Sequence, residues 1–307
     1  MKKQVNIRDL TFEEIETFIA HLGKEKYRAR QIMKWIYQSG VDTFEEMTTL
    51  SRDLRLHLSE VACLASPEIA KVKASADGTK KILFRLYDGL HIESVLIPGK
   101  NHWTACLSTQ AGCAMGCRFC FTGTLGLKRN LLSSEITGQL MTLKYGTPEG
   151  PNVKNIVLMG MGEPLANYDN TLKAIRIMTS DAGLGLSHRK VTISTCGLAP
   201  KIVQLGKDIC VNLAISLNAP DNKVRNDLMP VNKRYPLEDL LKACRDYPIP
   251  GRRMLTFEYI LMAGVNDSPK DAEKVARLLK NHYTTIIRAS RSSDILAACG
   301  QLTGQSC

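Results

Sequence analysis

Thr104-Ala105-Cys106-Leu107-Ser108-Thr109-Gln110-Ala111-Gly112-Cys113-Ala114-Met115-Gly116-Cys117-Arg118-Phe119-Cys120 is the stretch on which the reading of this chain turns. It opens as a short apolar run of strand character and ends in a loop carrying three cysteines. Cys113, Cys117 and Cys120 can converge on one metal centre from a single loop, and Gly112 and Gly116 let the backbone bend around it. Thiolates suit zinc and iron–sulfur clusters. Zinc would want a fourth protein ligand, and only Cys106 or His102, folding back, offers one nearby. A 4Fe-4S cubane held by three thiolates leaves one iron open instead. That iron can chelate the amino and carboxylate groups of S-adenosyl-L-methionine (SAM), whose reductive cleavage yields a 5′-deoxyadenosyl radical. Zinc and an electron-transfer cluster are the alternatives.

Downstream, short apolar runs alternate with amphipathic helices. The runs are Thr104–Ser108, Asn155–Met159, Val191–Ser194, Val211–Leu217, Leu255–Leu261 and Tyr283–Arg288, with helices such as Ser134–Tyr145, Leu172–Met178, Leu237–Asp246 and Pro269–Lys280 between them. Ser268-Pro269-Lys270-Asp271 is a helix start, with a serine cap, proline in the first turn and an acid three residues on. Repeated βα units predict an α/β fold, a parallel sheet with helices outside, open or curled into a barrel, with its chemistry at the C-terminal strand ends. Upstream, residues 1–90 read as a helical accessory domain with a β connector. Phe12, Ile15, Phe18 and Ile19 recur at helical spacing behind Thr11, Ile32, Trp35 and Ile36 repeat the pattern, and Leu50–Val61 adds a helix. A hairpin is expected around Asp88-Gly89. Residues 91–307 are assigned to the second domain.

With 307 residues, 44% hydrophobic and 23% charged, the chain has the composition of a soluble globule, and no stretch is long enough to span a bilayer. Its net charge of +11 favours a polyanionic partner. The N-terminus lacks the apolar run of a signal peptide, so the ten cysteines are expected to be reduced ligands or catalysts in the cytoplasm rather than disulfides.

The cysteine triad after the first strand resembles the radical-SAM superfamily. The wider text from Ala105 to Gly123, with Lys128-Arg129-Asn130-Leu131 after it, resembles the dual-specificity RNA methyltransferases of the RlmN family, which modify carbon 2 of adenine in 23S rRNA and tRNA. The resemblance implies a partial (β/α) barrel with an N-terminal domain of helix-hairpin-helix character. It implies a 4Fe-4S cluster on Cys113, Cys117 and Cys120, and an electron donor such as flavodoxin or ferredoxin. It also implies SAM contacts at Gly162 and Glu163, at Ser194, and at Ser216, Leu217 and Asn218. Asn218 stands where the family carries histidine, and its amide still donates and accepts.

Carbon 2 of adenine is electron-poor and will not attack a sulfonium methyl. A workable route parks the methyl on a thiolate, makes it a carbon radical, adds it to the ring, and resolves the protein–RNA bond by forming a disulfide with a second thiol. By resemblance Cys299, in Ala297-Ala298-Cys299-Gly300-Gln301-Leu302, carries the methyl, Cys106 resolves, and Glu93 accepts the proton. Cys63, Cys196, Cys210 and Cys244 read as core filler. Basic residues near the strand ends, from Arg118, Lys128 and Arg129 through Arg189, Lys190, Lys233 and Arg234 to Arg252 and Arg253, form a phosphate-holding group.

One departure stands out: the family has more chain between about Lys280 and Asn281, including a SAM-contacting asparagine. The same cysteine set serves the related adenine carbon-8 rRNA methyltransferases. A non-catalytic RNA-binding protein with a structural metal is the reading from another class.

Overall fold

The computed structural model of the chain describes residues 4–249, 254–279 and 293–304. Three helices form the N-terminal unit: α1 (Phe12–His21), α2 (Tyr27–Lys34) and α3 (Arg52–Val61). Thr11 and Glu14 close a capping box on α1, and Ser51 caps α3. Their apolar stripes interlock through Ile15, Ile19, Ile32, Met33, Leu54 and Leu58, all buried. The unit has a structural task beyond its own core. Helix α4 (Ser133–Gly146) has Leu132 at its N-cap, which offers its first N–H groups no acceptor. Asp9 supplies the missing cap from a distance: its Oδ1 accepts from Ser134 N at 2.8 Å and from Ser133 Oγ at 3.1 Å.

Eight strands make one sheet: β1 (Glu68–Ala74), β2 (Lys80–Arg85), β3 (His91–Pro98), β4 (Trp103–Cys106), β5 (Val153–Leu158), β6 (Val191–Thr195), β7 (Asn212–Ser216) and β8 (Leu255–Glu258). Each pairs with its neighbour in sequence, antiparallel from β1 to β4 and parallel from β4 to β8. Right-handed crossovers in a strictly sequential parallel sheet all move the same way, so they carry their helices to one face. Those helices are α4, α5 (Tyr168–Thr179), α6 (Ala199–Asp208), α7 (Asn222–Leu228) and α8 (Leu237–Asp246); α9 (Pro269–Leu278) follows β8. Helices α4 and α5 pack together, as do α6 and α8. The opposite face and the C-terminal strand ends are left for chemistry. This is the singly wound, partial-barrel form of the expected βα series, and among the described residues β8 is its edge.

The hairpin at Asp88-Gly89 is present as β2 and β3, with Leu86 N donating to Leu90 O at 2.8 Å. The expected division at residue 90 therefore runs between two hydrogen-bonded strands of the one sheet. Strand β1 had no counterpart in the sequence reading, and the expected run Tyr283–Arg288 lies outside the described residues. Where β4 has ended, Gln139 of α4 continues its pairing: its Oε1 accepts from Ser108 N (2.9 Å) and Ser94 Oγ (2.7 Å), and its Nε2 donates to Ser108 O (3.0 Å). Replacing it orphans buried main-chain groups. Gln139→Leu is expected to lower unfolding stability by roughly 2–4 kcal/mol in a denaturant titration of metal-free protein; a loss below about 0.5 kcal/mol would show that water or repacking takes the amide's place.

Candidate functional site

The cysteine loop is closed at its neck by a small antiparallel ribbon, Gln110–Gly112 against Leu127–Asn130. Cys113 N donates to Gly126 O at 3.1 Å. Gly112 sits at φ +77°, and a Cβ there would lie 1.9 Å from Gly126 O, so both its conformation and its contact exclude a side chain. Within the loop Cys120 N donates to Cys117 O at 3.1 Å. From the other side, Arg118 N donates to Leu228 O at the end of α7 (2.9 Å), while Leu228 and Met229 pack against Met115, Cys117 and Phe119.

Burial pushes the Cys113 thiol up to about 11 and the Cys117 thiol up to about 12, with the neighbouring cysteines adding to the effect at Cys117. A cationic metal centre would relieve both. Among the described residues no three His, Cys, Asp or Glu side chains are grouped to hold a single metal ion. A cubane gives each thiolate a different iron, so its ligands stand farther apart than those of one zinc at about 2.3 Å. Three soft thiolate donors on one loop are a donor set that fits an iron–sulfur cluster.

Around the loop stand the strand ends. Gly162, at φ +100°, follows β5; a Cβ would meet Gln110 Cβ at 2.5 Å. Glu163 is buried, and burial raises its pKa. Its Oε1 accepts from Leu165 N (3.0 Å) and its Oε2 from Cys196 N (2.8 Å), so its carboxylate first serves the protein's own main chain. Ser194 Oγ donates to Glu258 Oε2 at 3.4 Å. Past β7, Leu217 and Asn218 both donate main-chain N–H to Glu258 O. Asn218 has φ +52°, a region where asparagine and histidine are both enriched, which accounts for the exchange of one for the other here. Its Oδ1 accepts from Ile260 N at 2.9 Å.

Glu93 and Cys106 lie across this ring. Glu93 is buried, its Oε1 3.0 Å from Lys81 Nζ, and its Oε2 accepts from Thr303 N at 2.7 Å. That last bond comes from the C-terminal tail, which delivers Cys299. Gly300 O accepts from Phe121 N (2.7 Å) and Leu302 O from Thr122 Oγ1 (2.6 Å), so the Cys299 turn is docked on the helix that follows Cys120. Cys106 is buried and Cys299 exposed. Burial, then the nearby Cys299 and Glu258, raise the Cys106 thiol above its ordinary range.

The twelve expected residues thus lie at or beyond the C-terminal strand ends, on β3, or in the tail that docks there, and four others join them. Cys244 packs in the main core as expected, but Cys196 packs beside Cys117. Gln110, Glu258 and the fully buried Arg225 were not singled out by sequence; Gln110 and Glu258 had only their position at or after a strand end as a signal, and Arg225, inside α7, had none. The basic group is divided. Arg189 and Lys190 precede β6, and so lie at the end of the sheet away from the site, which corrects their placement near it. Arg129 is engaged by Asp88 and Glu135. Arg118, Lys128, Lys233 and Arg234 are exposed, and Arg252 and Arg253 lie outside the described residues.

Two family models match the chain: the ribosomal RNA large subunit methyltransferase N-terminal domain over residues 5–64, and the radical SAM superfamily over residues 107–279. The dual-specificity RNA methyltransferase RlmN of Syntrophus aciditrophicus is 61% identical over 338 positions, covering 98% of this chain and 97% of that protein. Its namesake from Geotalea uraniireducens is 46% identical over 99% and 98%. Both alignments run over more positions than the 307 residues of this chain, so the relatives carry residues it lacks. A crystal structure of a radical SAM methyltransferase from Sphaerobacter thermophilus superposes with a TM-score of 0.91 at 38% identity, covering 98% of this chain and all of that one.

The neck of the loop gives a direct test. Gly112→Ala places a methyl group where Gly126 O stands, and anaerobically reconstituted protein is expected to retain less than half the wild-type iron. Full iron content in the variant would mean that the neck opens without consequence for the ligands.

Proposed function

Because this chain belongs to the RlmN family of dual-specificity RNA methyltransferases, within the radical SAM superfamily, we propose that it adds a methyl group to carbon 2 of an adenine in 23S rRNA and in tRNA by way of Cys299. Cys113, Cys117 and Cys120 would hold a 4Fe-4S cluster, which when bound supplies, with SAM and an electron from a flavodoxin- or ferredoxin-like donor, a radical able to take hydrogen from a methyl group.

The chain's own residues do the rest. The Cys299 thiolate takes a methyl from SAM by displacement: a new S–C bond forms, the sulfonium S–C bond breaks and S-adenosylhomocysteine leaves. After loss of one hydrogen, the Cys299 methylene adds to carbon 2, so that protein and RNA are joined. The Cys106 thiolate then attacks the Cys299 sulfur: an S–S bond forms and the S–C bond breaks. Glu93 takes the proton from carbon 2, the methylene gains one, and the single electron left over passes to a flavodoxin- or ferredoxin-like carrier in its oxidised form. Gly162, Glu163, Ser194, Ser216, Leu217 and Asn218 shape the SAM pocket. Exposed lysines and arginines on a chain of net charge +11 hold RNA phosphates. No helix among the described residues is long and apolar enough to cross a membrane, and a cytoplasmic site of action suits both reduced thiols and RNA.

The observation that carries this reading is the docking of the Cys299 turn on the cysteine loop through Phe121 N and Thr122 Oγ1, which brings a second thiol into electrostatic reach of Cys106. A cluster-bearing protein that only bound RNA would need neither thiol.

Opposite outcomes are expected when the two are removed. Cys299→Ala should leave RNA unmethylated and free of protein. Cys106→Ala should accumulate protein joined to RNA, a slow band on a denaturing gel that nuclease collapses. Mass spectrometry of nucleosides from RNA treated with the wild type, anaerobically with SAM and reductant, should report 2-methyladenosine. Near-normal turnover by Cys299→Ala would sink the methyl-carrier role, and 8-methyladenosine would reassign the target carbon.

A further inference from the structure

Arg8 and Arg225 are the two bulkiest fully buried side chains among the described residues. Arg8 has a counter-ion, Asp42, at 2.7 Å. Arg225 has none among the described residues. Its Nε donates to Leu217 O (3.1 Å), its Nη2 to Cys196 O (2.6 Å) and Ser216 O (3.1 Å), and its Nη1 to Asn232 Oδ1 (2.9 Å). Every one of those acceptors is neutral. Neutral carbonyls satisfy the N–H groups but leave the charge itself uncompensated, and a buried cation in that state is costly.

The surroundings show where compensation would come from. Arg225 lies on α7, whose last carbonyl, Leu228 O, accepts from Arg118 N between Cys117 and Cys120. Cys117 packs with Leu228, Met229 and Cys196, and the Cys196 carbonyl is the shortest partner of the guanidinium. The cation is therefore built into the layer that seats the cysteine loop.

We infer that Arg225 is a fixed counter-charge for the cluster site, a buried cation that raises the reduction potential of the three-thiolate cluster without touching SAM or RNA. Three thiolates give the site a negative charge that each added electron increases, so a nearby cation in a dry surrounding favours the reduced form. The inference rests on the reading of the loop as a 4Fe-4S site. The rival role is purely mechanical: Arg225 ties the ends of β6 and β7 together, and its charge is incidental.

The two roles separate in the midpoint potential of the cluster, followed by EPR during anaerobic redox titration of reconstituted, SAM-free protein. Three variants are compared with wild type: Arg225→Lys, Arg225→Gln and Asn232→Asp. The first keeps the charge and loses most of the clamp. The second removes the charge. The third keeps an oxygen acceptor for the guanidinium and sets a carboxylate against it, while giving up the bonds that Asn232 Nδ2 donates to Asn222 and Asn226.

Arg225→Gln and Asn232→Asp are expected to shift the midpoint to more negative potential by at least a tenfold change in the reduction equilibrium, which is 59 mV for one electron. Arg225→Lys should stay close to wild type. Wild-type protein that binds no such cluster would overturn the premise itself. A wild-type cluster whose midpoint does not move in Asn232→Asp overturns only the counter-charge role, whatever the arginine variants do. Loss of cooperative melting in all three variants assigns Arg225 to strand clamping and overturns it as well.

Discussion

Two main-chain N–H groups, from Leu165 and Cys196, converge on the two oxygens of a carboxylate that is only 2% exposed, that of Glu163. The same residue's own N–H donates to Gln110 Oε1 at 2.8 Å, and Gln110 Nε2 reaches Asn130 Oδ1 at 2.7 Å on the ribbon that closes the cysteine loop. Two side chains, those of Glu163 and Gln110, thereby join the loops after β4, β5 and β6. Desolvation opposes the ionised form, and the charge-assisted bonds from main-chain donors offset it. Removing the carboxylate would leave the Leu165 and Cys196 N–H groups unpaired under the loop, and the loop has no other tie to β6 of comparable quality among the described residues. Arg225, bonded to the Cys196 carbonyl, takes part of its position from this arrangement.

The sheet order makes that arrangement possible. Because β4 to β8 follow one another in space as in sequence, no crossover helix returns to the concave face. The strand ends can then be occupied by polar groups, and four charged side chains are buried there: Glu163, the Lys81–Glu93 pair, and Arg225. Such burial is costly in an ordinary core. It is tolerated here because each charge is fixed by main-chain or amide partners, which is also what a site handling electrons, a sulfonium and a carboxylate requires. Most of the chain's positive surplus stays on the surface, where it costs little and attracts phosphates.

How much of this was legible in the sequence follows from what each residue type signals. The βα alternation and the three cysteines were readable because apolar periodicity and ligand spacing are local. So were the capping boxes at Thr11 and Ser268. Strand β1 was not readable: of Glu68-Ile69-Ala70-Lys71-Val72-Lys73-Ala74, all but Lys73 are exposed, so the run shows none of the alternation of a half-buried strand. The 110–112 and 127–130 ribbon is set by one close approach of Gly112 to Gly126 O, a contact no window of sequence contains. Arg225 looked like an ordinary helical arginine, since burial of a charge is decided by the loops that fold over it. Cys196 was read as core filler because its neighbours in sequence are apolar, whereas its neighbours in space include Cys117.

The tail that carries Cys299 is anchored on the near side of the sheet, and this bears on the residues the relatives have and this chain lacks. Asp294 accepts from Ser75 Oγ at 2.7 Å beside β1, Lys81 Nζ donates to Leu296 O at 3.3 Å, and Thr303 N holds Glu93. Further ties go to Phe121 and Thr122 after the cysteine loop. None of these partners belongs to β7, β8 or α9. At the other edge packing thins: α9 has no buried residue, whereas α4, α5, α6 and α8 each have at least three. A shortening that follows α9, where the sequence places it, removes support from the β8 side of the SAM pocket. It leaves the seats of Cys106, Cys299 and Glu93 intact, because those rest on β1 to β4 and on the loop itself. The residues proposed to carry the methyl group and those proposed to hold SAM are thus supported by opposite edges of one sheet, and Glu163 with the strand ends it joins connects the two.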